Sequence, residues 1–181
     1  MVPLDGLLPP IGLEIPCSSY AVDVPMKFDA LGLVSLDFRG GIRVRAEANI
    51  AGGLGGVKLK IIGEEYSADH PTLGRVTLSQ ADIDTTPLSL LEVLGNMPPK
   101  FKNTLFHDFT LTIEKPPGGG SGPLVLSNTK TMTTLNDNLT VFPPQGDVYQ
   151  LQQPVEFAPV GEPSKAVAQL LQLPMTRSHN P

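Results

Sequence analysis

The stretch VSLDFRGGIRVRAEANI, Val34 to Ile50, decides the fold class. Val34, Leu36 and Phe38 alternate with Ser35, Asp37 and Arg39. After Gly40-Gly41, the residues Ile42, Val44, Ala46, Ala48 and Ile50 alternate with Arg43, Arg45, Glu47 and Asn49. A period of two is the mark of a strand with one face against a core and one toward water. The glycine pair between the halves fits either a tight turn of a hairpin or a bend in one long strand.

The same pattern extends in both directions. Val57, Leu59 and Ile61 alternate with Lys58 and Lys60, and Val76 and Leu78 form a matching run after the turn residues His70-Pro71-Thr72-Leu73-Gly74. Phe109, Leu111 and Ile113 alternate with Thr110, Thr112 and Glu114. Shorter strand-prone pieces fill 124–157, interrupted by Asn136-Asp137-Asn138 and Pro143-Pro144-Gln145-Gly146. The spacing predicts about eight to ten short strands in a mainly β fold, either an antiparallel barrel or a two-sheet sandwich. Two short helices are expected. One starts at the cap Thr86 with Pro87 in first position and ends at Gly95; the other runs from Ser164 to about Leu173. Residues 1–16 read as an extended, proline-broken arm able to cover a barrel mouth, 17–173 as one β domain, and 174–181 as a frayed tail.

Composition supports this reading. The 181 residues include 18 Gly and 19 Pro, well above the usual share of roughly 12% for the two together, and they fall between apolar-alternating runs without a collagen period. Mean hydropathy is +0.03, so the chain has enough apolar residues for a core. A net charge of −5 and a pI near 5.1 argue against a nucleic-acid partner, which needs a basic face, and against anionic membranes. The single cysteine, Cys17, permits no internal disulfide and points to a reducing, cytoplasmic setting. It reads as a small buried hydrophobe, because no base is adjacent to make it a nucleophile.

No catalytic, cofactor or metal motif is present. GGLGG (Gly52–Gly56) lacks the Lys-Ser/Thr ending and the following helix of a phosphate loop. Candidate site residues therefore come from position. His107 shares parity with Phe109 and is expected to point inward, which makes it the leading candidate. Glu65 and Tyr66 follow, because they directly succeed an apolar strand; a desolvated carboxyl there would suit acid–base chemistry. The pair Asp82 and Asp84 is a further acidic cluster. The uncharged polar run through 127–153 suggests ligand contacts from Thr131, Thr133, Tyr149 and Gln150, with Phe109 as apolar wall.

Three readings follow. The first is a barrel that holds a small apolar or mixed-polarity molecule and carries, cyclises or isomerises it without a cofactor, as a fold-level analogy with small metabolite-binding barrels would have it. The second is a non-catalytic sandwich that associates with itself or a partner. The third is a metal-dependent enzyme using His70 and His107.

Overall fold

The computed structural model describes residues 8–81 and 86–179. The pair Asp82 and Asp84, the first seven residues of the arm and the last two of the tail lie outside the described residues. The described chain forms thirteen antiparallel strands: β1 (Glu14–Phe28), β2 (Gly32–Ile50), β3 (Gly56–His70), β4 (Gly74–Gln80), β5 (Ser89–Asn96), β6 (Pro99–His107), β7 (Phe109–Ile113), β8 (Leu124–Asn128), β9 (Met132–Leu139), β10 (Gln145–Leu151), β11 (Val155–Pro159), β12 (Ala168–Leu170) and β13 (Met175–His179).

Three long strands organise the rest. β1, β2 and β3 run side by side as a central ribbon. Each outer edge of the ribbon has two successive partners. On β1, Met26–Phe28 pair with β12 and Cys17–Tyr20 pair with β13. On β3, Glu65–His70 pair with β4 and Gly56–Leu59 pair with β5. The pairings close two rings that share the ribbon, one through β4, β7, β8, β11 and β12, the other through β5, β6, β9, β10 and β13. Among the described residues, closure leaves neither ring with an unpaired edge strand. Each ring has its own apolar interior. Phe28, Phe38, Phe109, Leu111 and Phe157 fill the first barrel; Ile15, Val44, Val57, Leu91 and Phe101 fill the second.

The glycine pair of the opening stretch sits where the ribbon passes from one barrel to the other. β2 continues straight through it, so no hairpin forms there. A Cβ on Gly40 would overlap the backbone carbonyl of Glu65, and one on Gly41 would press on the Cys17 carbonyl at 2.9 Å. The glycines let three backbones approach each other at the junction. Bulges adjust the facing. One between Ala46 and Ala48 turns Ala48 outward, which is why alternation fails at the end of β2. Another beside Gly63 makes Ile61 and Glu64 face inward, three apart instead of two.

Both expected helices are absent. Residues 89–96 form β5, with Ser89, Leu91 and Val93 inward and Leu94 outward. The helical spacing of Leu88 and Leu91 competes with that two-residue period, and the first half of β3 needs an edge partner, so pairing prevails. Thr86 donates to Asp108 Oδ2 at 2.7 Å instead of capping a helix. Residues 168–170 likewise form β12, which closes the first barrel between β1 and β11. The tail expected to fray from 174 carries β13, paired on both sides with β1 and β10. The expected arm is shorter than 1–16, since β1 begins at Glu14; Leu8 packs against the second core. No helix among the described residues is long and apolar enough to cross a membrane.

Candidate functional site

Polar side chains gather where the two barrels meet, at the midpoints of the ribbon strands and the ends of their partners. Glu64 Oε1 lies 2.7 Å from His107 Nδ1, and His107 Nε2 lies 2.8 Å from Thr134 Oγ1. The imidazole stacks on Phe109, ring centroids 5.3 Å apart. On the other side, the Tyr66 hydroxyl donates to Glu64 Oε2 at 2.5 Å and accepts from Arg177 Nη1 at 2.7 Å. Nη1 also donates to Ser19 Oγ at 2.9 Å. The Arg177 guanidinium lies between two rings, 5.6 Å from the centroid of Tyr66 and 5.3 Å from that of Tyr149. Tyr149 in turn donates to Asn103 Oδ1, and Asn103 Nδ2 donates to the Leu90 carbonyl at 2.9 Å.

Every charged member of this chain is buried. Arg177 is 1% exposed and Glu64 7%. Burial pushes the Glu64 carboxyl up, but His107, Arg177 and the Tyr66 hydroxyl outweigh it and hold the carboxyl below its ordinary value. Burial alone would lower Arg177; Tyr66 and Glu64 instead raise it, so the guanidinium stays charged. Burial raises both Tyr66 and Tyr149 and keeps their phenols as neutral donors. The Cys17 thiol is pushed up to about 11 by burial, against the pull of Arg177, and is no thiolate nucleophile.

The order Glu64, His107, Thr134 is that of a carboxylate–imidazole–hydroxyl triad. Thr134 is fully buried and borders none of the cavities described below. The trio therefore works as a set of linked hydrogen bonds that fixes Glu64 and, through Tyr66, Arg177.

One feature of Arg177 stays open. Its Nε and Nη2 are buried without a hydrogen-bond partner. Nη2 is 3.7 Å from Glu64 Oε2, an ion pair too long to be a hydrogen bond. Arg177 borders a cavity of the second barrel, lined also by Cys17, Val44, Leu105, Phe142 and Tyr149. The cavity is narrow: a water centre can occupy only about 10 Å³ of it. Phe142, half-buried in the loop after β9, lines it together with the buried Pro144.

A second, larger space is a notch outside both barrels, about 720 Å³, where 129–131 and 152–154 cross between them. Thr129, Thr131, Thr133, Gln152 and Gln153 line it, with Lys130 and Glu156 of opposite charge.

The candidates from sequence thus separate. His107 and Tyr66 enter the buried chain, and Tyr149 borders the second-barrel cavity. Glu65 is exposed; the bulge beside Gly63 puts Glu64 inside in its place. Thr131 and Thr133 line the external notch, not a barrel interior, while Thr134 points in beside Met132. Gln150 is exposed, and Phe109 belongs to the first core. His70 caps the β3–β4 turn, its Nδ1 accepting from Thr72 N at 3.1 Å and Leu73 N at 3.2 Å. Among the described residues no three His, Cys, Asp or Glu side chains cluster as metal ligands, so the metal-dependent reading has no ligand set there. Sequence reasoning chose Glu65 over its neighbour Glu64 and missed Asn103, Thr134 and Arg177. The inward parity of Met132 was a usable signal for Thr134; Arg177 had none.

No protein-family model matches the chain. No curated protein sequence matches it either. Its structure is similar to that of DynF from the dynemicin biosynthesis pathway of Micromonospora chersina, with a TM-score of 0.69 at 18% sequence identity. The match covers 95% of this chain and 82% of DynF. At that identity the likeness is one of fold.

Acid should act on the site through Glu64. Its carboxyl is depressed in the folded chain, so its stabilisation is complete above its ordinary value of 4.5 and fades as pH falls below that value through the folded one. The stability gap between the natural chain and Glu64→Gln, from urea unfolding, is expected to narrow steadily below that pH. A gap independent of pH would mean the carboxyl is not ionised in the fold.

Proposed function

We propose that this chain binds a small, mainly apolar molecule inside its second barrel. The observation that carries the reading is the cavity bounded by Val44, Leu105, Phe142 and Tyr149, apolar along its walls and with Arg177 among its lining residues. Such a mix of apolar wall and few fixed polar groups is typical of small-molecule sites. As it stands the space admits about one water, so a ligand enters by displacing Phe142 and its loop. The resemblance to DynF, a protein of a biosynthetic pathway, supports a role with small metabolites.

Cyclisation or isomerisation without a cofactor is the finer form of the proposal. Donors fixed in a dry site stabilise negative charge developing on a substrate oxygen, and Arg177, which lines the cavity with two donors not otherwise engaged, is the group to do so. The reaction would rest on the shape of the barrel and these hydrogen bonds.

The test uses N-phenyl-1-naphthylamine, a neutral apolar dye that brightens out of water. Bright, saturable binding is expected, weakened about tenfold or more by Val44→Trp, which fills the cavity, with thermal unfolding used to confirm the fold. Binding unchanged by Val44→Trp but lost on Thr133→Trp would place the ligand in the notch and sink the proposal.

A further inference from the structure

We propose that the second-barrel site selects an apolar molecule that ends in a carboxylate, gripped side-on by Nε and Nη2 of Arg177. The inference rests on the binding reading above and adds the chemistry of the ligand's polar end.

The argument begins with the geometry of a guanidinium. It presents its N–H groups in a rigid plane, and the N–H of Nε and one N–H of Nη2 run parallel along one side. That spacing matches the two oxygens of a carboxylate and favours a bidentate pair. In this chain the other positions are engaged. Nη1 donates to Ser19 and Tyr66, and the Glu64 carboxylate, held by Tyr66, stands 3.7 Å from Nη2, too far for a hydrogen bond. The parallel pair, Nε and Nη2, is the pair without partners.

Leaving two such donors unmade in a buried site is costly, about 1–3 kcal/mol for each unsatisfied group and more for charged ones. A residue held between two tyrosine rings and fixed end-on cannot turn to seek other partners. Arg177 is one of the residues lining the adjoining cavity, so a group that completes it would enter from there, where Val44, Leu105 and Phe142 would take an apolar body. Glu64 does not oppose the arrangement as a bare charge, because His107 and Tyr66 share its two oxygens. A single water is the competing occupant, and the present space is large enough for one.

Calorimetric titration of the whole chain with cyclohexanecarboxylate and with octanoate, each against its methyl ester, tests this. The pairs share an apolar body and differ in the head group, and the two bodies cover a compact and an extended shape. The acids are expected to bind about tenfold or more tighter than the esters, the ratio that one charge-assisted hydrogen bond supplies. Arg177→Lys keeps a cation beside Glu64 but removes the parallel pair; it should lose most of that preference while still binding the esters. Equal binding of acid and ester would overturn the carboxylate assignment and leave interior binding standing. A preference that survives Arg177→Lys would overturn the assignment to Arg177. Binding of neither, together with no dye uptake, would overturn the binding reading itself and assign the two donors to water.

Discussion

Glu64→Ala is expected to destabilise the protein by about 3–5 kcal/mol, because it strands a buried cation. Arg177 cannot shed its proton and is buried, and its Nη1 contact runs through Tyr66 to the lost carboxylate. His107 would also lose its Nδ1 partner. Chemical unfolding with urea reads the change as a shift of midpoint. The paired substitution separates this cause from simple cavity formation. In Glu64→Leu with Arg177→Met the charges leave together, and replacing a buried ion pair by apolar residues of similar volume is often neutral or stabilising. The double variant should therefore regain most of the stability that Glu64→Ala loses. If it is no more stable than the single variant, packing around Glu64 and not its charge is what the junction needs. The double variant should also bind octanoate no better than its ester, which ties the stability experiment to the proposed ligand.

The second large effect is at Gly40. An added methyl group would overlap the Glu65 carbonyl, a backbone atom held by pairing of β3 with both β2 and β4. No side chain can move aside, so the strands must separate at the junction. Gly40→Ala is expected to cost about 4 kcal/mol or more, in the range reserved for severe single substitutions. Gly63, on β3 near the crossing, offers a control, since a Cβ there meets nothing within 4 Å. Gly63→Ala should cost about 1 kcal/mol or less, because an added methyl group meets open space and the backbone there is not left-handed. Comparable losses at the two positions would mean that glycine serves general flexibility in this region and not close backbone approach.

The degree to which the fold was legible varies by element, for identifiable reasons. β7 and the first half of β2 were readable because apolar residues occupy every second position, and the structure buries all of them. β1 was hidden. Its inward residues include Cys17 and Ser19, and a bulge between Ala21 and Val24, with Asp23 at φ 54°, breaks its period. β5 and β12 carry helix-like spacing, and only the edges left open on β3 and β1 make them strands. Bulges mattered equally for the site. The bulge beside Gly63 decides that Glu64 and not Glu65 lies inside, and nothing in the run of residues announces where an extra residue will be accommodated. Met175 and Arg177 share a face of β13, and an arginine beside a methionine gives no sign of burial until a carboxylate and two aromatic rings from distant strands meet it.

What the sequence determined by itself is the mainly β character, the inward setting of His107 and the net negative charge. These follow from local periodicity and composition, which each residue carries with it. The division into two barrels on a shared ribbon, the burial of Arg177 and its two open donors were decided only by tertiary structure. They depend on which strand completes which edge, and on a charge balance between β3 and β13, partners more than a hundred positions apart that no local pattern can pair.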